Sequence, residues 1–211
     1  MSNVRHHAHH FDSAQAEFEA SKQGLWVFLV NEVLFFSGLF VAYAIYRVGN
    51  PDLLKECHHF LNWKLGATNT AVLIGSSLTM ALGVTYAQKG EQKKSANMIL
   101  LTILCAFGFL VIKYIEYSHK FHDGLLPGAL FHNHELTHPK APQFFSIYFV
   151  LTGLHGIHVV GGIVVLFWIW IRTLKKEFTP EYFTPVECVG LYWHFVDLVW
   201  IYLFPLLYLA S

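Results

Sequence analysis

The residues with the capacity for chemistry in this 211-residue chain are carboxylates and histidines set inside apolar runs. Glu32 sits next to Asn31 within GLWVFLVNEVLFFSGLFVAYAIY, where an ionised carboxylate in lipid would cost several kcal/mol. It is therefore expected to be protonated, paired or turned toward a neighbour, and at the helical period it shares a face with Phe36, Leu39 and Tyr43. Two roles fit: a neutral interhelical hydrogen-bond donor, or an acid that handles protons. His155 and His158 lie three apart in TGLHGIHVVGG. Such a pair either ligates one metal or bonds carboxylates on other helices, with Asp197, Glu187 or Glu32 as partners, and the spacing favours hydrogen-bonded core histidines.

Further along, Glu187, Gly190, His194 and Asp197 fall on one narrow stripe of ECVGLYWHFVDLVWIYLFPLLYL. A helix facing lipid all round would not keep that stripe, so it is expected to be an inward polar seam. Lys113 and Glu116, three apart near the far end of another run, read as an ion pair whose lysine snorkels to the interface. Asn69, Ser76, Met80 and Gly83 form a small-residue stripe that lets helix backbones approach closely. The histidine tracts HHAHH and HNHELTH, and the cluster Cys57-His58-His59, are expected to be solvated rather than metal-bound.

These groups need a scaffold, and apolar length supplies it, because roughly 20 apolar residues cross a bilayer. The chain is 55% hydrophobic and 13% charged, with mean hydropathy +0.43. Five spans are expected at about 24–46, 66–88, 97–117, 143–171 and 187–209, giving an all-α five-helix membrane bundle preceded by a flexible histidine-rich tail, 1–23. That tail lacks the pattern of a signal peptide and reads as cytoplasmic. The formal net charge is zero, so no global field favours nucleic acid. The three cysteines are far apart and suggest no disulfide framework. Both tight basic turns, Lys89–Lys94 and Arg172–Lys176, fall on the side of the N-terminus. The positive-inside rule then puts the N-terminus inside and the C-terminus outside.

Taken together, NEVLFFSGLFVAY, ATNTAVLIGSS, TGLHGIHVVGG and YWHFVDLVWIYLFPLLY resemble, in order, the motifs of subunit III of the haem–copper terminal oxidases. The resemblance covers Gly24 to Leu209 and is nearest to the short five-helix bacterial type. It implies an accessory subunit without a redox centre of its own, packed on the catalytic subunit I, with subunit II in the same complex and haem and copper held by the partner. It also implies a bacterial inner membrane, bound phospholipid, and room for a larger respiratory assembly. Glu32 matches the family's buried, carbodiimide-reactive glutamate, linked to proton uptake and to durability during turnover. His155, His158, His194 and Asp197 match inward polar positions. Longer members have two more N-terminal helices forming a lipid cleft, and these have no counterpart here. Asn31-Glu32 and YWHFVDLVW look nearer to the cytochrome c type than to the quinol oxidases, while a relative associated with nitric oxide reductases is a further alternative. Rival readings of another class are a histidine-rich membrane metalloenzyme and a small transporter with Glu32 and His155 as a relay. In the first, the histidine clusters would lie at different depths, and in the second no inverted repeat is visible.

Overall fold

The computed structural model describes residues 13–133, 136 and 138–209. Its helices are α1 (Ala14–Val48), α2 (Pro51–His58), α3 (Trp63–Gln88), α4 (Gln92–His122), α5 (Ala141–Leu174) and α6 (Thr184–Phe204). A π turn, Pro205–Leu209, continues α6. Five of these helices, all but α2, are long and apolar enough to cross a membrane. Among the described residues there is no strand, only isolated bridges at Leu125–Phe131 and Thr179–Tyr182.

The helices overrun the apolar windows, which corrects three expectations. Residues 14–23 are the first turns of α1, so helix takes up more of the expected 1–23 tail than the one short turn near Ala14–Ala20 that its sequence suggests. Ser13 caps them by accepting from the Ala16 N–H at 3.1 Å, and Gln15 reaches Glu19 one turn on. The HHAHH tract lies outside the described residues. The connection between the first two expected spans, 47–65, which the Gly-Asn-Pro break and its charges mark as loop, is not all loop, since Pro51 opens α2, whose Leu53 and Cys57 are fully buried. Lys120, placed by the apolar pattern in a loop, belongs to the last turns of α4.

Small and hydroxyl side chains draw α3 and α4 into a close antiparallel pair. Thr79 and Thr102 share a hydrogen bond at 2.7 Å, and Ser95 donates to the Gly83 carbonyl at 2.8 Å. Helix α6 packs between α3 and α5, and α1 leans mainly on α6. Two fully buried indoles key α6 to α3: Trp193 donates to Ser76 Oγ at 3.0 Å and Trp200 to Thr70 Oγ1 at 3.1 Å. Buried indole N–H groups need such partners. Trp193 also lies flush on Gly162 of α5, where a Cβ would come within 2.7 Å of the ring.

Lys22 pairs with Glu187 at 3.0 Å, tying the N-terminal ends of α1 and α6 together. At the other end Tyr43 donates to the Leu206 carbonyl at 3.1 Å and Tyr46 to the Lys140 carbonyl at 2.8 Å. The bundle thus has one end with the α3–α4 and α5–α6 turns and another with α2 and the connection between α4 and α5.

Candidate functional site

Glu32 meets His158 across the α1–α5 contact, Oε2 to Nε2, at 3.0 Å. The other ring nitrogen, Nδ1, lies 2.8 Å from the Leu154 carbonyl. A carbonyl only accepts, so Nδ1 carries a proton and donates. The contact with Glu32 then needs one proton, resident on the carboxyl or on Nε2. The pair is either neutral acid with neutral imidazole or carboxylate with imidazolium, and its net charge is zero in both. That answers the cost of placing an acid here, since a lone charge at a helix centre costs roughly 3 kcal/mol. Phe36 packs edge-on against the His158 ring at 5.1 Å between centroids. Tyr192 donates to the His158 carbonyl at 3.1 Å, fixing that turn of α5 to α6. Both side chains keep a little exposure on the surface of this chain, 15% for Glu32 and 18% for His158.

A second polar centre lies near the opposite end. Lys113 and Lys120 flank Glu116 on α4, at 2.9 Å and 3.0 Å. Tyr148 and Tyr208 also donate to Glu116 Oε1, at 2.8 Å and 2.5 Å. Lys113 donates further to the Tyr208 hydroxyl at 2.9 Å and stands 4.6 Å over the Trp200 ring. Lys120 sits 4.8 Å over the Tyr148 ring. Aromatic faces and hydroxyls thus surround two cations and one anion. Lys113, expected to snorkel to the interface from a helix end, does not; α4 runs on past it, the side chain is buried, and the aromatic cage takes the place of solvent. Lys120, Tyr148 and Tyr208 escaped the sequence reading. The four-residue step from Glu116 to Lys120 was the available signal.

The remaining polar residues divide. His194 bonds Ser77 at 2.6 Å across α6 and α3. Glu187 lies at the bundle's end with Lys22, away from the interior seam. Asn31 is exposed on the outer side of α1 and does not enter the network, a correction that follows from helical geometry, because adjacent residues point about 100° apart. Asn69, His155 and Asp197 are buried; among the described residues no hydrogen-bond partner meets either Asn69 amide atom or either His155 ring nitrogen, while Ser77 of α3 stands beside the Asp197 carboxyl. Among the same residues, no group of three or more His, Cys, Asp or Glu is placed to hold a metal ion. Cys57 is buried in α2, and burial, with Glu56 adding to it, pushes its thiol up to about 12. A protonated thiol is a poor metal ligand.

A family described as cytochrome c oxidase subunit III matches residues 3–211. The chain is 36% identical to a probable cytochrome c oxidase subunit 3 of Nocardia farcinica, over 88% of this chain and 85% of the relative. It is 30% identical to a probable quinol oxidase subunit 3 of Staphylococcus saprophyticus, over 99% and 98%. A quinol oxidase subunit 3 of Bacillus spizizenii is 31% identical over 97% of each chain. With five spanning helices and a match along nearly its whole length, the chain belongs to the cytochrome c oxidase subunit III family and is subunit III of a haem–copper oxidase.

Proposed function

We propose that this subunit supports proton uptake by the catalytic subunit I of a cytochrome c oxidase, and carries no redox centre of its own. The observation behind this reading is the Glu32–His158 pair, an acid and an imidazole in hydrogen-bond contact across α1 and α5 that share one proton at no net charge. Such a pair moves a proton between two heteroatoms already in hydrogen-bond contact, and exchange with an outside donor or acceptor, such as water on the uptake path of subunit I, would complete uptake or release. Subunit II completes the complex, in a bacterial inner membrane with phospholipid around the bundle. The N-terminal ends of α1 and α6 face inward, which the basic turns at Lys89–Lys94 and Arg172–Lys176 favour. Subunit I docks on α1, whose exposed face from Gly24 onward is apolar apart from Asn31, a polar group that hydrocarbon would leave unmet.

The test is Glu32→Gln in the assembled oxidase. Glutamine keeps the size and can still donate to His158 Nε2, but it cannot release a proton. The complex is expected to assemble in normal yield, with a severalfold fall in proton-uptake rate and a shortened lifetime during turnover. Unchanged uptake and lifetime would leave Glu32 as a hydrogen-bond donor and nothing more.

A second reading, a quinol-fed oxidase, is favoured by the two relatives of that name, which match this chain over 97% and 99% of its length. Against it, Asn31-Glu32 fits the cytochrome c pattern. Purification through a tag on this chain, followed by turnover with reduced cytochrome c and with a quinol, separates them. We expect a haem- and copper-bearing partner and activity with cytochrome c. Activity with quinol alone would reverse that choice.

A further inference from the structure

The two turns at one end of the bundle, 89–91 between α3 and α4 and 175–183 between α5 and α6, touch each other. The Gln92 side-chain amide donates to the carbonyl of buried Phe178, and a Cβ on Gly90 would come within 3.2 Å of the Pro180 ring. Between the turns lies an open cleft of about 390 Å³, lined by Gly90, Glu91, Gln92, Lys93, Lys94 and Lys176.

Lys176 holds a backbone position that usually goes to another residue. Helix α5 closes with the Lys176 N–H on the Thr173 carbonyl at 3.0 Å and the Glu177 N–H on the Arg172 carbonyl at 3.3 Å. That paired closure needs a left-handed residue just past the helix end, and glycine is the common choice because a Cβ crowds the following carbonyl there. Here a lysine takes it, at φ 57°, and among the described residues no other non-glycine has a positive φ. A strained backbone kept at a side chain that lines a cleft points to a use for that side chain.

The charges of the cleft do not balance. Three of its lining residues are lysines and one is an acid. Glu91 is engaged by Lys94 at 2.6 Å, and Lys94 also stands 5.5 Å over the Tyr86 ring. The excess positive charge therefore rests on Lys93 and Lys176, which come from different turns and are both exposed. An anion between two ammonium groups relieves their repulsion, and lysine meets phosphate as a compact point charge. Depth adds to this. Helices α3, α4 and α5 are of membrane length and all begin or end here, so the cleft opens at the level of the headgroups.

We propose that this cleft binds a phosphate group, held by Lys93 and Lys176, which clips the α3–α4 turn to the α5–α6 turn. A lipid phosphodiester and free inorganic phosphate present the same oxygens to it. None of its residues belongs to the Glu32–His158 pair or touches it, and the site does not depend on that pair's role.

The test is the thermal midpoint for release of this subunit from the intact oxidase in detergent. Phosphatidylglycerol, phosphatidylcholine and inorganic phosphate are added in turn. A ligand that binds the folded state raises the midpoint with its concentration. Phosphatidylglycerol is expected to raise it by several degrees above phosphatidylcholine at equal lipid ratio. A similar rise with inorganic phosphate in lipid-free detergent assigns the site to the free anion, and a rise with the lipid alone assigns it to the headgroup. No rise with either overturns the proposal. Lys176→Gly then locates the effect. Glycine suits the left-handed backbone, so this variant should assemble with a midpoint in phosphatidylcholine that is level or higher, yet lose most of the anion-dependent rise. Lys93→Gln should lose it as well. A rise kept in full by both variants would refute the site, as would an equal loss in Lys64→Gln, which alters an exposed lysine at the other end of α3.

Discussion

Glu116→Gln is expected to give a subunit that no longer stays folded in the oxidase. The carboxylate is 2% exposed and answers two buried ammonium groups and two phenols. Removing its charge leaves Lys113 and Lys120 facing each other without a counter-ion, and breaking a buried ion cluster from one side costs about 3–5 kcal/mol. That is a large part of the margin of an ordinary domain. Loss of the subunit from purified complex, or a much lower thermal midpoint, is the readout. A triple variant, Lys113→Met, Glu116→Gln, Lys120→Met, is expected to recover most of the loss, because it removes all three buried charges together and leaves an amide oxygen for Tyr148 and Tyr208 to donate to. If the single variant were as stable as the parent, the cluster would not be a fastening between α4, α5 and the C-terminal turn.

Gly162→Ala is expected to cost about 1–3 kcal/mol, the range for overpacking a close-fitting core. The new Cβ would lie 2.7 Å from Trp193 Cζ3 and 2.9 Å from Cε3. The indole cannot swing aside freely, since it is fully buried and its N–H is held by Ser76. Pushing α5 from α6 also disturbs the Tyr192 bond to the His158 carbonyl, so the Glu32–His158 contact should loosen too. Gly153→Ala on the same helix is the control, because nothing lies within 4 Å of its Cβ position, and it should be neutral or slightly stabilising. Equal midpoints for the two variants would mean that α5 and α6 are not in the close contact described.

The five spans were legible because hydrocarbon thickness acts on apolar length alone, and each of the apolar runs became a membrane-length helix. Helix ends were not, because hydrogen bonding and caps such as Ser13 carry a helix past the point where apolarity stops. Short α2 was hidden too, being too brief to show a period. Within the site, the face holding Glu32, Phe36 and Tyr43 followed from the 3.6-residue repeat. Its partner did not: two histidines and several carboxylates had compatible spacing, and only packing selects His158. Tyr148 and Tyr208 were invisible for a different reason, since a tyrosine in a membrane helix looks the same whether its hydroxyl meets a headgroup or a buried carboxylate.

The fastening around Glu116 also has an order in time. Lys113, Glu116 and Lys120 leave the ribosome together, but Tyr208 is 92 residues further along the chain. At ordinary synthesis rates that is an interval of roughly 5 to 20 s. During it, the three charges of the newly inserted α4 have one another but not the last phenol that closes their cage. Completion of the final helix is therefore what converts a costly hairpin into a settled one. A nascent chain arrested before Tyr208 would present an unfinished charged surface in the bilayer, a ready mark for the cell's membrane proteases.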